Sequence, residues 1–437
     1  MSNLETPMNN GSSPDQNTTN LNSAPRGQVS RKLLLVAIIG ISFSLRAPIT
    51  SIGSLAGLIH DDLGVSNGFV GFITTLPLIA FAVCSPFISK VSDRLGIGKT
   101  MLAGLIAIVA GGALRSYTGI IGLLIGTALI GVGISVANVL IPSIVKLKFP
   151  DKIGLVTGIY ITSMAIFASV GAGVSYPMAI AGVGWKFASL VWAGIAMLAI
   201  FAWLPQRKLG SHAQATAIHL KNKTSAPADA DFVHDGHPDK SSDKRKSIWK
   251  SPLAWFITLF FGLQSLNFYS LTAWIPSILQ GYGMTPEMAG YMALWFQLIG
   301  IPASFLIPIL ASRVKNQQII VAGACLSYFM GLIMLILLHS TPAVVIALLL
   351  LSSGGAASFS WALVMLSLKS RDAEEAIKLS GMAQSVGYLL AAIGPTLCGV
   401  IFDSAGTWSL VLGLFLCITL GMAVTGILAA KREKLFH

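Results

Sequence analysis

Long apolar runs, separated by short clusters of Gly, Pro and charge, recur along the whole chain. They fall at about 33–59, 68–89, 100–117, 119–145, 154–179 and 186–204, and then at 253–279, 286–311, 318–338, 342–366, 379–402 and 407–430. A helix rises about 1.5 Å per residue, so runs of this length match a bilayer core of about 30 Å. The pattern predicts an all-α membrane protein, with twelve transmembrane helices in two six-helix bundles. The expected organisation is a disordered tail over 1–30, an N-terminal bundle over 31–205, a linker over 206–251 and a C-terminal bundle over 252–437. Asn, Ser, Pro and Thr dominate the tail, and Lys, Asp, Ser and Pro dominate the linker, compositions that cannot bury enough apolar surface to fold. The tail has no apolar core, so it does not read as a signal peptide.

The first run is interrupted by charge. Arg46 lies thirteen residues beyond Leu33, about 20 Å into a helix that begins there. A guanidinium stays charged at any ordinary pH, and its burial in the bilayer costs at least ~2.5–3.5 kcal/mol. Pro48 cannot donate a backbone hydrogen bond, so the helix is expected to bend beside the charge. Arg46 is therefore read as facing a cavity and a ligand, the alternative being a side chain that reaches back to the membrane surface.

Composition supports the membrane reading. The 437 residues are 54% hydrophobic and only 11% charged, far from the ~25% charged of a soluble domain. The net charge of +12 would suggest nucleic acid in a soluble protein, but the placement of the bases gives another explanation. With the N-terminus inside, all 29 Lys and Arg except Arg46, Arg115 and Lys186 fall in cytoplasmic segments. That bias predicts both termini in the cytoplasm, with the bilayer rather than nucleic acid as partner. The four cysteines lie inside apolar runs without CxxC spacing, and they predict neither disulfides nor a metal site. The linker histidines are irregularly spaced, and no cofactor or metal is expected.

All 17 acidic residues fall in the tail, the linker, loops or helix ends. The carboxylates that commonly relay protons inside membrane proteins are therefore missing from the span interiors. No buried acid can neutralise Arg46, and a cavity positive by default favours an anion or electron-rich oxygens. Asn138, Gln264, Asn267, Gln297, Gln384 and Tyr388 supply polar partners in other spans. Gln264 and Asn267 are three apart, and Gln384 and Tyr388 four apart, so each pair shares a helix face. Any one of them is also read as interhelical glue, worth about 0.6 kcal/mol. Arg115 reads as an interfacial snorkel at the end of the third span, the alternative being a base that draws anions toward the mouth, and Lys186 with Trp185 reads as a membrane-surface pair. Trp274 and Trp361 could wall a cavity or anchor at the interface, and Pro276 suggests a kink. The pairs Gly53/Gly57 and Gly122/Gly126, with Gly354-Gly355, read as places of close helix approach.

The loop after the second span, Ser89-Lys-Val-Ser-Asp93-Arg94-Leu-Gly96-Ile-Gly-Lys99, resembles the major facilitator superfamily signature G-x3-D-R-x-G-x-R/K-R/K, with Ser89 and Gly98 as departures. Three further stretches are similar to the cyanate permease / 2-nitroimidazole transporter branch. They are Leu45-Arg46-x-Pro-x-Thr50-Ser51-Ile-Gly53, then Gln264-Ser265-Leu-x-Phe-Tyr269…Trp274-Ile-Pro276, and Leu379 to Pro395 including Gln384 and Tyr388. The resemblance implies two bundles rocking about a midplane site. It also implies a gating loop of Asp93, Arg94, Gly96 and Lys99, and substrate contacts from Arg46, Thr50, Asn138, Gln264, Asn267, Tyr269, Gln384 and Tyr388.

The expected function is transport of a small anionic or nitro-containing solute across a bacterial inner membrane, by a non-enzyme that is monomeric. An exporter of apolar or cationic drugs and a membrane sensor using the linker as output are the alternatives. Proton symport through His60, Asp403 or the substrate, uniport and exchange are all compatible with the sequence.

Overall fold

The computed structural model describes residues 31–65, 67–209 and 247–431. The tail expected over 1–30 and most of the expected linker lie outside these residues. Among the described residues the secondary structure is helical, with no strand.

The first span is built of two helices, α1 (Arg31–Phe43) and α2 (Ala47–Ser54), with the short polar α3 (Ala56–Leu63) beyond its end. It is followed by α4 (Asn67–Leu95), α5 (Ile97–Tyr117), α6 (Gly119–Lys148), α7 (Ile153–Met178) and α8 (Gly184–Trp203). The second bundle comprises α9 (Pro252–Gly281), the pair α10 (Pro286–Ile299) and α11 (Ile301–Arg313), then α12 (Gln317–Leu337), α13 (Thr341–Leu368), α14 (Ala373–Ala405) and α15 (Trp408–Lys431). Ten described segments are long and apolar enough to cross a membrane. One of them, 150–206, holds both α7 and α8, which part where Gly182 and Gly184 adopt φ of 103° and 72°. The twelfth crossing is α9, long enough at 30 residues but diluted by Gln264, Ser265, Asn267 and Tyr269.

The first span does more than bend. Pro48 has no N–H to offer the carbonyl of Ser44, and the chain tightens into a turn over Ser44–Arg46. Ser44 N bonds to the Ile41 carbonyl at 2.8 Å, and the helix restarts with Ile49 N and Thr50 N on the Arg46 carbonyl. Pro276, by contrast, lies within a continuous α9.

Close helix approach occurs at part of the expected glycines. A Cβ on Gly111 would lie 2.6 Å from the Gly126 carbonyl, where α5 meets α6, and one on Gly354 would lie 2.7 Å from the Ala324 carbonyl. Gly53 and Gly57 face open space, so the approach expected there does not occur.

The core shows how the bundles join. One apolar cluster runs through both, from Leu34 and Met101 to Leu379 and Met422, towards the end rich in Lys and Arg. Towards the other end the core divides into two separate clusters, one around Ile52, Leu123 and Trp185, the other around Ile275, Leu335 and Trp408. Hydrogen bonds between bundles gather at the basic end: Lys146 Nζ to the Ser367 carbonyl (2.7 Å), Ser367 Oγ to the Pro142 carbonyl (2.8 Å), Ser143 Oγ to the Ala373 carbonyl (2.8 Å) and Ser385 Oγ to the Ala82 carbonyl (2.6 Å). Small residues bring the backbones together there; a Cβ on Gly158 of α7 would lie 2.6 Å from the Phe305 carbonyl of α11.

Candidate functional site

A cavity of about 60 Å³ lies between the bundles, above the joined basic end. A water needs about 10–15 Å³ on this measure, so the space suits a small solute or a few waters. Arg46 supplies its cationic wall. The break in the first span puts this residue at the head of α2, clear of the regular helix path. Its Cζ lies 4.8 Å from the centroid of Phe359 and 5.4 Å from that of Phe268, both across the bundle interface. Such cation–π contacts contribute about 0.5–2 kcal/mol each in a partly desolvated setting. No described carboxylate pairs with Arg46. The guanidinium is therefore held by ring faces, which leaves its in-plane N–H donors available.

The rest of the wall mixes aromatic surface with small polar groups. Phe296 and Met164 add apolar area, and Ser169, Gln297, Ser304 and Ser352 add polar atoms. Ser352 Oγ donates to the Phe296 carbonyl and Ser304 Oγ to the Gly300 carbonyl (3.2 Å), so both hydroxyls brace the wall at the α10–α11 junction. A planar, electron-rich solute fits this chemistry: its oxygens meet the guanidinium edge and its face meets phenyl rings.

Of the residues singled out in the sequence, Arg46 and Gln297 line this cavity, and Arg46 is the one of the expected substrate contacts that does so. Gln264 stands just behind it, its Nε2 donating to the carbonyl of Gly355, a lining residue, at 3.3 Å. Tyr269 and Tyr388 form an aromatic cluster beside the site: their centroids are 6.4 Å apart, and Tyr388 also packs on Phe81 of the other bundle at 4.8 Å. Thr50 instead clamps α2 to α7, its Oγ1 donating to the Ala168 carbonyl at 2.8 Å. Asn267 turns to Thr419 (3.1 Å), away from the cavity. Gln384 is fully buried and donates to the backbone carbonyl of Asn138 at 2.9 Å. That pair joins the two bundles and does not line the cavity. The physical reason is common to all three: an amide or hydroxyl at a helix contact finds a nearer partner in a neighbouring helix than in a solute.

Sequence reasoning passed over Phe268, Phe296, Phe359, Ser169, Ser304 and Ser352. Phe268 lies inside a stretch singled out for its polar neighbours, and Ser352 directly precedes the Ser353-Gly354-Gly355 turn of small residues in α13. Nothing in the sequence distinguishes these phenylalanines from lipid-facing ones.

Arg115 corrects the expectation of an interfacial snorkel. It is 1% exposed, and its Nη1 donates to the Pro48 carbonyl at 2.7 Å and Nη2 to the Ser189 carbonyl at 3.5 Å. Trp185 is likewise buried rather than lipid-facing, with Nε1 on Asp62 at 3.0 Å, while Lys186 pairs with the same carboxylate at 3.1 Å. These contacts, the Trp185 hydrogen bond first, hold the Asp62 carboxyl below the usual carboxylate range. Trp361 is neither cavity wall nor surface anchor: it is fully buried, with Nε1 on Gln317 at 3.1 Å. Trp274 donates to the Pro395 carbonyl at 2.8 Å, and it too is absent from the cavity lining.

In the loop between α4 and α5, Gly96 adopts φ 83°, a conformation side chains resist, so the turn requires glycine there. Asp93, Arg94 and Lys99 are exposed around it. The departure at Gly98 has a structural cause. Its N–H bonds to the Leu209 carbonyl (2.9 Å), its carbonyl accepts from Trp203 Nε1 (2.9 Å), and a Cβ there would lie 2.7 Å from the Arg207 carbonyl. The segment leaving α8 occupies the space that a longer side chain would need.

The family model for the Major Facilitator Superfamily matches residues 33–395. The chain is 40% identical over 405 residues to an uncharacterized transporter, YycB, of Bacillus subtilis (strain 168), covering 92% of this chain and 95% of that one. It is 35% identical over 409 residues to the 2-nitroimidazole transporter of Escherichia coli (strain K12), covering 93% and 97%. Among solved structures it is similar to the proton:xylose symporter XylE bound to 6-bromo-6-deoxy-D-glucose, with a TM-score of 0.68, 14% identity and coverage of 91% and 93%. At that identity the likeness concerns the fold alone.

Proposed function

This chain belongs to the major facilitator superfamily of membrane transporters, and we propose that it carries a small, planar, anionic or nitro-containing solute by alternating access. One observation carries the reading: Arg46 stands in a cavity between the bundles, stacked on Phe268 and Phe359, with no described carboxylate to compensate it. A solute bringing two oxygens in one plane gains a charge-assisted, bidentate contact with the guanidinium edge. The name of the 2-nitroimidazole relative supports the same chemistry, since a nitro group presents two such oxygens on an aromatic plane.

In this reading the basic end faces the cytoplasm, following the charge bias of the loops, and both termini lie on that side of a bacterial inner membrane. The bundles are locked there by Lys146, Ser367, Ser143 and Ser385, so the arrangement corresponds to the state closed to the cytoplasm. Rocking the bundles breaks those bonds and also pulls Arg46 from Phe268 and Phe359. The solute's own contacts with both bundles therefore couple binding to the change of state. Asp93, Arg94, Gly96 and Lys99 serve as the gating loop at the same end, with the Gln384–Asn138 contact as part of the lock.

The experiment is uptake of 2-nitroimidazole into liposomes containing purified protein. At equal incorporation, Arg46→Lys retains part of the flux and Arg46→Ala almost none. Full flux through the alanine variant would end the assignment of the site. An exporter of apolar compounds is the competing reading, favoured by Phe268, Phe296, Phe359 and Met164 in the lining. It requires the alanine variant to bind lipophilic compounds as well as the native protein does, which a thermal-shift titration measures.

A further inference from the structure

A second cavity, of about 220 Å³, opens at the basic end between α1 and the start of α7. Arg31 and Lys32, in the first turn of α1, and Lys152, just before α7, form its rim together with the single carboxylate of Asp151. All four are exposed, and none is ion-paired with another described residue. The rim therefore carries a net charge of about +2 that the protein leaves uncompensated. Below it the floor is apolar: Phe149 and Val156 are buried there, and Leu35 packs beside them. On the open side, Leu155 is 40% exposed. Leu35 and Leu155 each lie about one helical turn further along the chain than Lys32 and Lys152, so the cavity grades from a charged rim to an apolar wall.

We propose that this cavity binds one anionic phospholipid, the phosphate on Arg31, Lys32 and Lys152 and an acyl chain along Leu35 and Leu155. Charge complementarity selects an anionic headgroup, and the apolar floor with its open flank selects a lipid over a free phosphate. The site bears on the transport cycle through α7. Its first turns present Leu155 and Val156 to the cavity, while Gly154 and Gly158 pack against α11 of the other bundle. A lipid wedged behind α7 braces that helix in the position that closes the basic end. Binding thus favours the state closed there.

The test uses full-length protein in neutral detergent, titrated with phosphatidylglycerol, phosphatidylcholine or glycerol 3-phosphate while its melting temperature is followed. Phosphatidylglycerol gives a saturable rise, and the other two give none. The triple variant Arg31→Gln, Lys32→Gln, Lys152→Gln needs roughly tenfold more phosphatidylglycerol or beyond. A control triple at the same end, Lys90→Gln, Lys315→Gln, Lys431→Gln, responds as the native protein does. The single reversal Lys152→Glu shifts the titration in the same direction as the first triple, and native mass spectrometry counts one tightly held phosphatidylglycerol fewer in both. A native-like response of the Arg31/Lys32/Lys152 variant overturns the proposal. So does an equal loss in the control triple, or a rise produced by glycerol 3-phosphate alone.

Discussion

Arg115 Nη1 donates to the carbonyl of Pro48 at 2.7 Å, two residues along the chain from Arg46. The break in the first span thus leans on a second, fully buried guanidinium from α5. Pro48 leaves the Ser44 carbonyl without its helical donor where the helix parts, and Arg115 holds the restarted helix from outside through the Pro48 carbonyl. The position of Arg46 at the cavity follows from both.

Substituting Arg115→Met tests that dependence. Replacing a buried ion by an apolar side chain of similar length is often close to neutral for stability, because its desolvation cost disappears with it. The break in the first span loses its brace, however, so the KM for 2-nitroimidazole rises about tenfold, equivalent to ~1.4 kcal/mol. Uptake kinetics and the melting temperature are measured together. A fall in melting temperature with KM unchanged would assign Arg115 to packing alone.

The ring pair around Arg46 is open to a separate test. Phe359→Leu and Phe268→Leu each keep the site apolar but remove a π face from the guanidinium. Each is expected to weaken solute binding by about 0.5–1.5 kcal/mol, or two- to tenfold, with the larger effect at Phe359, where the separation is shorter. Binding titrations on purified protein give the ratio directly.

Gly158 sits where α7 and α11 meet at the basic end. In Gly158→Val the new Cβ would lie 2.6 Å from the Phe305 carbonyl, a backbone atom that cannot rotate aside. The bundles then cannot close at that end, and transport is lost while the fold of each bundle persists. Labelling of a cysteine introduced at exposed Ser312 by a membrane-impermeant reagent, applied from the basic side, is expected to accelerate several-fold.

Asp62 gives a pH signature at the opposite end. Its carboxylate accepts from Trp185 and pairs with Lys186, tying α3 to α8, and its folded-state pKa lies below the unfolded value. A depressed carboxylate pKa contributes stability above the unfolded value, near 3.9, and that contribution fades as pH falls through the folded pKa. The side chain is 44% exposed, which limits the effect to about 0.2–1 kcal/mol. Asp62→Asn therefore melts slightly lower than the native protein at pH 7, and the gap closes below about pH 4. A gap that persists unchanged at pH 3.5 would contradict this.

The twelve crossings and the cation in the first of them are legible in the chain itself. Both follow from one-dimensional physics: the length of apolar sequence needed to cross hydrocarbon, and the cost of charge within it. Gly96 belongs with them, because a backbone conformation closed to side chains leaves glycine as its sequence trace. The pattern did not separate the roles of Arg46 and Arg115. Both are arginines in apolar surroundings, and only the packing of α5 against the broken first span makes one a cavity wall and the other a brace. Nor could it sort Gln264, Asn267 and Gln384, whose amides are chemically alike. One stands behind the cavity, one joins neighbouring helices and one joins the bundles, according to which carbonyl or hydroxyl comes within 3 Å or so. The sequence by itself determined which groups cannot face lipid. The tertiary structure decided what each of them faces instead, because that choice depends on distances across helices that are far apart in the chain.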